Sequence, residues 1–144
     1  MECINALKME LLSKSANEGF ARASVAAFVS QLDPTIEEIS DIKTSVSEAV
    51  TNSIVHGYGN SIGKIYITVK IFDTGKVRIE IKDKGVGIED IEIAMQPLYT
   101  TSTTGDRAGM GFSIMGSFMD NLKVWSKQGK GTKVTMEKYI KRKK

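Results

Sequence analysis

Between residues 64 and 81 the chain alternates. Ile65, Ile67, Val69 and Ile71 are separated by Tyr66, Thr68 and Lys70, and Val77, Ile79 and Ile81 repeat the pattern after Asp73-Thr74-Gly75. Successive strand side chains point to opposite faces. A period of two therefore predicts two strands with one buried face, joined by a hairpin turn. Residues 4–13 alternate more loosely, with Leu7, Met9 and Leu11 on one side, and predict a first strand.

Elsewhere the period is helical. Ser15-Ala16-Asn17-Glu18 has the spacing of a capping box and predicts a helix to about Leu32, with Phe20, Ala23, Ala27 and Val29 facing inward. Asp33-Pro34 predicts the next start, Asp33 as cap and Pro34 in the first helical position, where its missing N–H costs nothing. Ile36, Ile39, Ile42, Val46, Ala49, Val50 and Ser53 then follow one helix face, which should end near His56-Gly57. Residues 88–95 predict a short helix, and 96–109 are rich in Thr, Ser and Gly without periodicity. Gly111 to about Met119 predicts another helix, and 122–127 with 132–140 a closing strand pair around Gln128-Gly129-Lys130-Gly131. This order predicts a single α+β domain over residues 1–144, a two-layer sandwich with a mixed or antiparallel sheet under helices.

Composition supports a globular domain: 144 residues, 41% hydrophobic and 26% charged, are enough for one core. Cys3 is the single cysteine, so no intramolecular disulfide is possible and a cytoplasmic setting is expected. No apolar run approaches the ~20 residues of a membrane span, and Met1-Glu2-Cys3-Ile4-Asn5 lacks the regions of a signal peptide. The net charge of +3 owes much to Lys138, Lys141, Arg142, Lys143 and Lys144. These read as a solvated, frayed terminus. With no aromatic residues interleaved through a basic face, neither direct nucleic-acid binding nor a membrane partner is expected.

Four short segments carry candidate chemistry. Glu48 and Asn52 are four apart on a helix and share a face. An asparagine oxygen can serve Mg²⁺, which takes oxygen ligands and shares them with phosphate. A carboxylate one turn away can orient or deprotonate an attacking hydroxyl. Read alone, the pair is equally two polar residues on a solvated face. In Asp83-Lys84-Gly85-Val86-Gly87, Asp83 is a fixed acceptor at a strand end, suited to the exocyclic amine of adenine, and Gly85 and Gly87 allow a ligand to approach the backbone. Asp and Gly also end strands without any ligand. Gly105-Asp106-Arg107-Ala108-Gly109-Met110-Gly111 opens a helix, where free amides and the positive end of the dipole favour an anion, and Arg107 can fork onto a terminal phosphate. The Thr/Ser-rich residues 99–104 before it could close as a lid. In Gly129-Lys130-Gly131-Thr132 the Thr132 hydroxyl can support Asp83 or the base. No Walker P-loop occurs.

In this order the four segments resemble the GHKL family of ATPases and kinases: residues 48–52 match its N box, 83–87 and 105–111 its two glycine boxes, and 129–132 its terminal glycine-threonine element. Asn17-Glu18-Gly19-Phe20-Ala21-Arg22, Leu32-Asp33-Pro34-Thr35, His56-Gly57-Tyr58 and Gly109-Met110-Gly111-Phe112 are similar to the anti-sigma factor kinases within it. The resemblance implies ATP/ADP and Mg²⁺ as ligands, with Glu48 as general base, Asn52 as Mg²⁺ ligand and Asp83 as adenine contact. It puts Thr100, Arg107, Gly109 and Gly111 on phosphates and adds Gly85, Gly87, Thr101, Met110 and Thr132 to the nucleotide site. It makes Arg22 a partner contact.

The implied activity is inhibition of a sigma F-like sporulation sigma factor and serine/threonine phosphorylation of an anti-anti-sigma protein, by a homodimer. Two other readings stay open: a nucleotide-gated, non-catalytic sigma-binding module, and an isolated catalytic domain of histidine-kinase type.

Overall fold

The computed structural model describes residues 1–88 and 108–140, the latter without the side chains of residues 108–110. Five strands form one sheet: β1 (Cys3–Leu12), β2 (Lys64–Phe72), β3 (Lys76–Asp83), β4 (Asn121–Lys127) and β5 (Gly131–Tyr139). Their spatial order is β1-β2-β3-β5-β4, and every neighbouring pair is antiparallel. Of the two sheet types expected, the antiparallel one is found. Ile65, Ile67, Val69, Ile71, Val77, Ile79 and Ile81 are all buried on one face, as the period of two requires. Leu7, Met9 and Leu11 of the edge strand pack against that core.

Among the described residues, three helices cover this face: α1 (Ala16–Val29), α2 (Ile36–Asn52) and α3 (Ala108–Phe118). The starts of the first two differ from expectation. Ser15 has helical angles and makes no side-chain cap, because the backbone turn has already begun: Asn17 N bonds Lys14 O at 2.9 Å and Glu18 N bonds Ser15 O at 3.2 Å. Those amides are served without the hydroxyl. The capping box instead forms one helix later. Glu38 N donates to Thr35 Oγ1 at 3.1 Å, and Thr35 N donates to Glu38 Oε1 at 2.9 Å. Asp33 is not the cap of α2; with φ 52° it ends the single 3₁₀ turn after α1, and Pro34 precedes the cap.

The buried stripe of α1 is also shifted. Val29 faces inward as expected, but with Ala21 and Val25, while Phe20 is 56% exposed and Ala23 and Ala27 are exposed. The helix is apolar nearly all round, so sequence spacing alone offers two stripes; packing selects the one with the two valines. Ile36, expected inside, is 88% exposed because it precedes the point where α2 meets the core. Past Asn52 the chain continues as a π-helical turn, Ser53–Tyr58, and stops at Gly59 with φ 59°.

Two charge expectations change. Lys138 belongs to β5, where its ammonium bonds Phe118 O at 2.7 Å and Asp41 Oδ2 at 3.3 Å, tying the end of α3 to α2. Aromatic residues do stand among basic ones on the outer face of the sheet: Lys84 Nζ lies 5.3 Å from the Tyr66 ring centre, and the half-exposed Trp125 lies beside Lys123 and Lys133. That face collects alternate residues of several strands, so linear order hides it. The helix expected at 88–95 and the lid expected at 99–104 lie outside the described residues, Ile88 excepted.

Candidate functional site

The end of α2 builds the centre of the site. Glu48 and Asn52 share a face one turn apart, and α3 brings Gly111 against them. A Cβ placed on Gly111 would lie 3.1 Å from Glu48 Oε2 and 3.4 and 3.5 Å from Asn52 Nδ2 and Oδ1. Only glycine lets the first turn of α3 approach so closely without moving those side chains. The structure starts α3 at Ala108, before the expected Gly111, so Gly109, Met110 and Gly111 lie inside its first turn. The first four amides of a helix have no intrahelical partner, so this turn still presents donors and the positive end of the dipole. Asn52 Nδ2 is buried and finds no hydrogen-bond partner among the described residues.

Ser53, one residue on, points about 100° round the helix to the other half of the site. Its hydroxyl donates to Asp83 Oδ2 at 2.8 Å, and Gly85 N donates to Oδ1 at 2.9 Å. Asp83 is 3% exposed. Burial pushes its carboxyl above the ordinary value, opposed by hydrogen bonds from the Gly85 backbone, the Ser53 side chain and the Thr132 backbone. The π turn swings Gly57 behind this carboxylate, where a Cβ would sit 3.0 Å from Asp83 Cγ. π turns inside helices often mark functional sites, because the extra residue re-aims the side chains beyond it.

The turn after β3 is closely held. Val86 N donates to Gly57 O at 2.9 Å, and Gly129 N donates to Val86 O at 2.7 Å. Gly85 abuts the Gly57 carbonyl, and Gly87, with φ 79°, abuts that of Lys127. Thr132 pairs with Asp83 across the β3–β5 ladder, but its hydroxyl shares a 2.8 Å hydrogen bond with Ser126 Oγ and does not itself reach Asp83. Support comes from the backbone of Thr132.

The structure therefore brings Glu48, Asn52 and Gly111 together, and Asp83, Gly85, Gly87 and Thr132 beside them. Thr100, Thr101 and Arg107 lie outside the described residues. Arg22 is on α1, half-exposed and 3.6 Å from Glu18 Oε2. Sequence reading missed Ser53, Gly57, Tyr58 and Ser126 as site residues. Ser53 carried a usable signal, a polar residue in phase with buried ones, which needs a partner.

This donor set suits a purine nucleotide with its cation. A buried carboxylate with spare lone pairs can accept an amine, the amides at the start of α3 can face phosphate, the Asn52 amide oxygen can serve a cation, and its buried Nδ2 has no partner among the described residues.

Residues 13–138 match the family described as histidine kinase-like ATPase domain. The fold is shared with solved structures. The RsbU and RsbW domains of a Mycobacterium tuberculosis protein superpose with a TM-score of 0.71 at 19% identity, over 96% of this chain and 33% of that one. A blue-light activated histidine kinase of Erythrobacter litoralis superposes with a TM-score of 0.58 at 19% identity, over 82% of this chain and 40% of that one.

Closer relatives bear the name Anti-sigma F factor. Identity is 62% with that of Thermoanaerobacter sp. (strain X514), over 97% of both chains, and 55% with that of Clostridium acetobutylicum, over 93% of both. The chain belongs to the histidine kinase-like (GHKL) ATPase domains and, within them, to the anti-sigma F factor family.

Proposed function

We propose that the protein is an ATP-dependent serine kinase that also binds and silences a sigma F-like sporulation sigma factor, and that the kinase substrate is an anti-anti-sigma protein. The observation that carries the catalytic part is the approach of Gly111 to Glu48 and Asn52, which sets a carboxylate, a neutral oxygen ligand and a helix N-terminus around one point. The names of the relatives support the sigma-factor part.

When bound, ATP with Mg²⁺ supplies an activated phosphoryl group whose charge the site must neutralise. Asp83 accepts from the exocyclic amine of the base, held in place by Ser53 and Gly85. Asn52 offers its amide oxygen to Mg²⁺. Glu48 accepts the proton of the incoming serine hydroxyl, whose oxygen forms the new bond to phosphorus as the bond to the leaving ADP breaks. Arg107, Thr100, Thr101, Gly109 and Met110 complete the phosphate contacts in this reading. Arg22 contacts the protein partners, and the working form is a cytoplasmic homodimer.

The test uses ATP labelled at the γ-phosphate and the anti-anti-sigma partner. Wild-type protein should transfer label to a serine, and Glu48→Gln should bind ATP but lose transfer by at least about a hundredfold, the usual reach of general-base catalysis. Undiminished transfer by the variant removes Glu48 as base. Nucleotide binding with no transfer by wild-type protein favours the gated, non-catalytic module. Acid-labile label on a histidine points to the histidine-kinase type.

A further inference from the structure

The Tyr58 hydroxyl occupies a rung of the sheet. Strands β2 and β3 pair as Tyr66 with Lys82 and Ile65 with Asp83, so the next pair in register is Lys64 with Lys84. There the two backbones do not meet through a ladder bond. Tyr58 Oη donates to Lys64 O at 2.6 Å and accepts from Lys84 N at 2.8 Å. One hydroxyl thus stands in for a backbone hydrogen bond and holds the strands apart one residue beyond Asp83.

The chain leaves the sheet at this point. Three consecutive amides of the departing turn each have a partner: Lys84 N on Tyr58 Oη, Gly85 N on Asp83 Oδ1, and Val86 N on Gly57 O. Two of the three partners come from the dipeptide Gly57-Tyr58, the last two residues of the π turn. The Tyr58 ring is in turn pressed against Gly63, where any side chain would overlap it. The ring cannot swing away on that side, so the position of the hydroxyl is fixed.

We propose that Tyr58 is a positioning residue that sets base specificity, its hydroxyl acting as a wedge that ends the β2–β3 ladder and thereby aims Asp83. This rests on the reading of Asp83 as the base contact. Without the hydroxyl, Lys84 N and Lys64 O either lose their partners or close directly onto each other. Direct closure pulls residues 84–86 toward β2 and takes Gly85 N from the Asp83 carboxylate. The carboxylate then no longer meets the amine of adenine in the required geometry, while the groups that receive phosphate, on α2 and α3, are untouched.

The experiment compares equilibrium binding of ATP and inosine triphosphate, which carries a carbonyl where adenine carries the amine. Wild-type protein should prefer ATP strongly, since a site built to pair a donor rejects an analogue lacking it. Tyr58→Phe should shrink the ATP-to-inosine triphosphate affinity ratio by about tenfold or more, chiefly through weaker ATP binding. A ratio unchanged in a variant with only a lowered Tm makes Tyr58 merely structural and overturns the proposal.

If Tyr58→Phe does not fold, Gly63→Ala displaces the ring while keeping the hydroxyl, and the same contraction of the ratio is expected; an unchanged ratio again overturns the proposal. A wild-type protein that binds both nucleotides alike overturns the Asp83 reading itself, and the wedge with it. Failure of ATP binding altogether strikes the proposed function instead.

Discussion

Gly111 of α3 touches the space between Glu48 and Asn52 of α2, with room for a hydrogen and not for a methyl group: a Cβ there would stand 3.1 Å from Glu48 Oε2. Gly111→Ala adds that methyl. Alanine is the better helix former by about 1 kcal/mol, which offsets the crowding, so stability should change little. Displacing Glu48 and Asn52 by a few tenths of an ångström should still lower phosphoryl transfer, by about tenfold to a hundredfold given the sensitivity of such reactions to placement. Thermal unfolding beside a transfer assay checks the split. A variant equally active would mean that the contact does not set the reacting geometry.

Asn52 bears a buried amide nitrogen without a partner among the described residues. Unmet, such a group costs the empty fold about 1–3 kcal/mol, which the packing of the same side chain offsets. Asn52→Ala should therefore leave the Tm of the nucleotide-free protein nearly unchanged. The gain in ATP affinity that Mg²⁺ gives the wild-type protein should be lost. Titrations with Mg²⁺ and with a chelator measure it, and an undiminished Mg²⁺ effect would dismiss Asn52 as the ligand.

Two carboxyls should bend the pH dependence of stability in opposite directions. Burial holds Asp83 above its ordinary value, so the folded state takes up its proton first and gains stability as pH falls through that raised value. For Glu137, burial pushes upward, but the hydrogen bonds and charges of Arg78 and Lys76 outweigh it and hold the carboxyl low. Its stabilisation is present above the unfolded value and lost as pH falls through the folded one.

Stability, measured by unfolding from about pH 7 to about pH 3, should thus fall more steeply with acid in Asp83→Asn than in wild type, and less steeply in Glu137→Gln. The latter should also lose roughly 3 kcal/mol near neutrality, because Lys76, 7% exposed and 3.1 Å from Glu137, loses its partner. Equal slopes in all three proteins would refute this assignment.

Thr35→Ala removes the side-chain acceptor of the capping box of α2. About 1 kcal/mol of stability should go with it, a Tm drop of about 3–4 °C for a domain of this size. Nucleotide affinity should not move, since the cap is at the far end of α2 from Asn52. A loss of affinity without loss of stability would contradict that separation.

The strands and the end of α2 were legible in the sequence for a local reason. A period of two from Ile65 to Ile81 needs only the pleat to become a buried face, and residues 129–132 needed only a turn. Glu48 and Asn52 on one face, and Asp83 at a strand end beside Gly85 and Gly87, also come from spacing within single elements. Local spacing does not rank alternatives of similar quality. On α1, packing against the sheet kept the expected Val29 but chose Ala21 and Val25 over Phe20, Ala23 and Ala27. The expected caps, Ser15 and Asp33, were not used: the backbone already served the amides beside Ser15, and Thr35 caps α2 in place of Asp33.

Contacts across the fold lay beyond any pattern in the chain. Gly111 meets Glu48 because α3 returns across the sheet, Ser53 meets Asp83 because the π turn re-aims the end of α2, and Tyr58 enters the β2–β3 ladder from outside it. By itself the sequence determined which residues are candidates for holding a nucleotide. Their convergence, and the wedge that aims Asp83, were decided by tertiary structure, because a hydrogen bond between residues 26 or 30 positions apart depends on how whole elements pack.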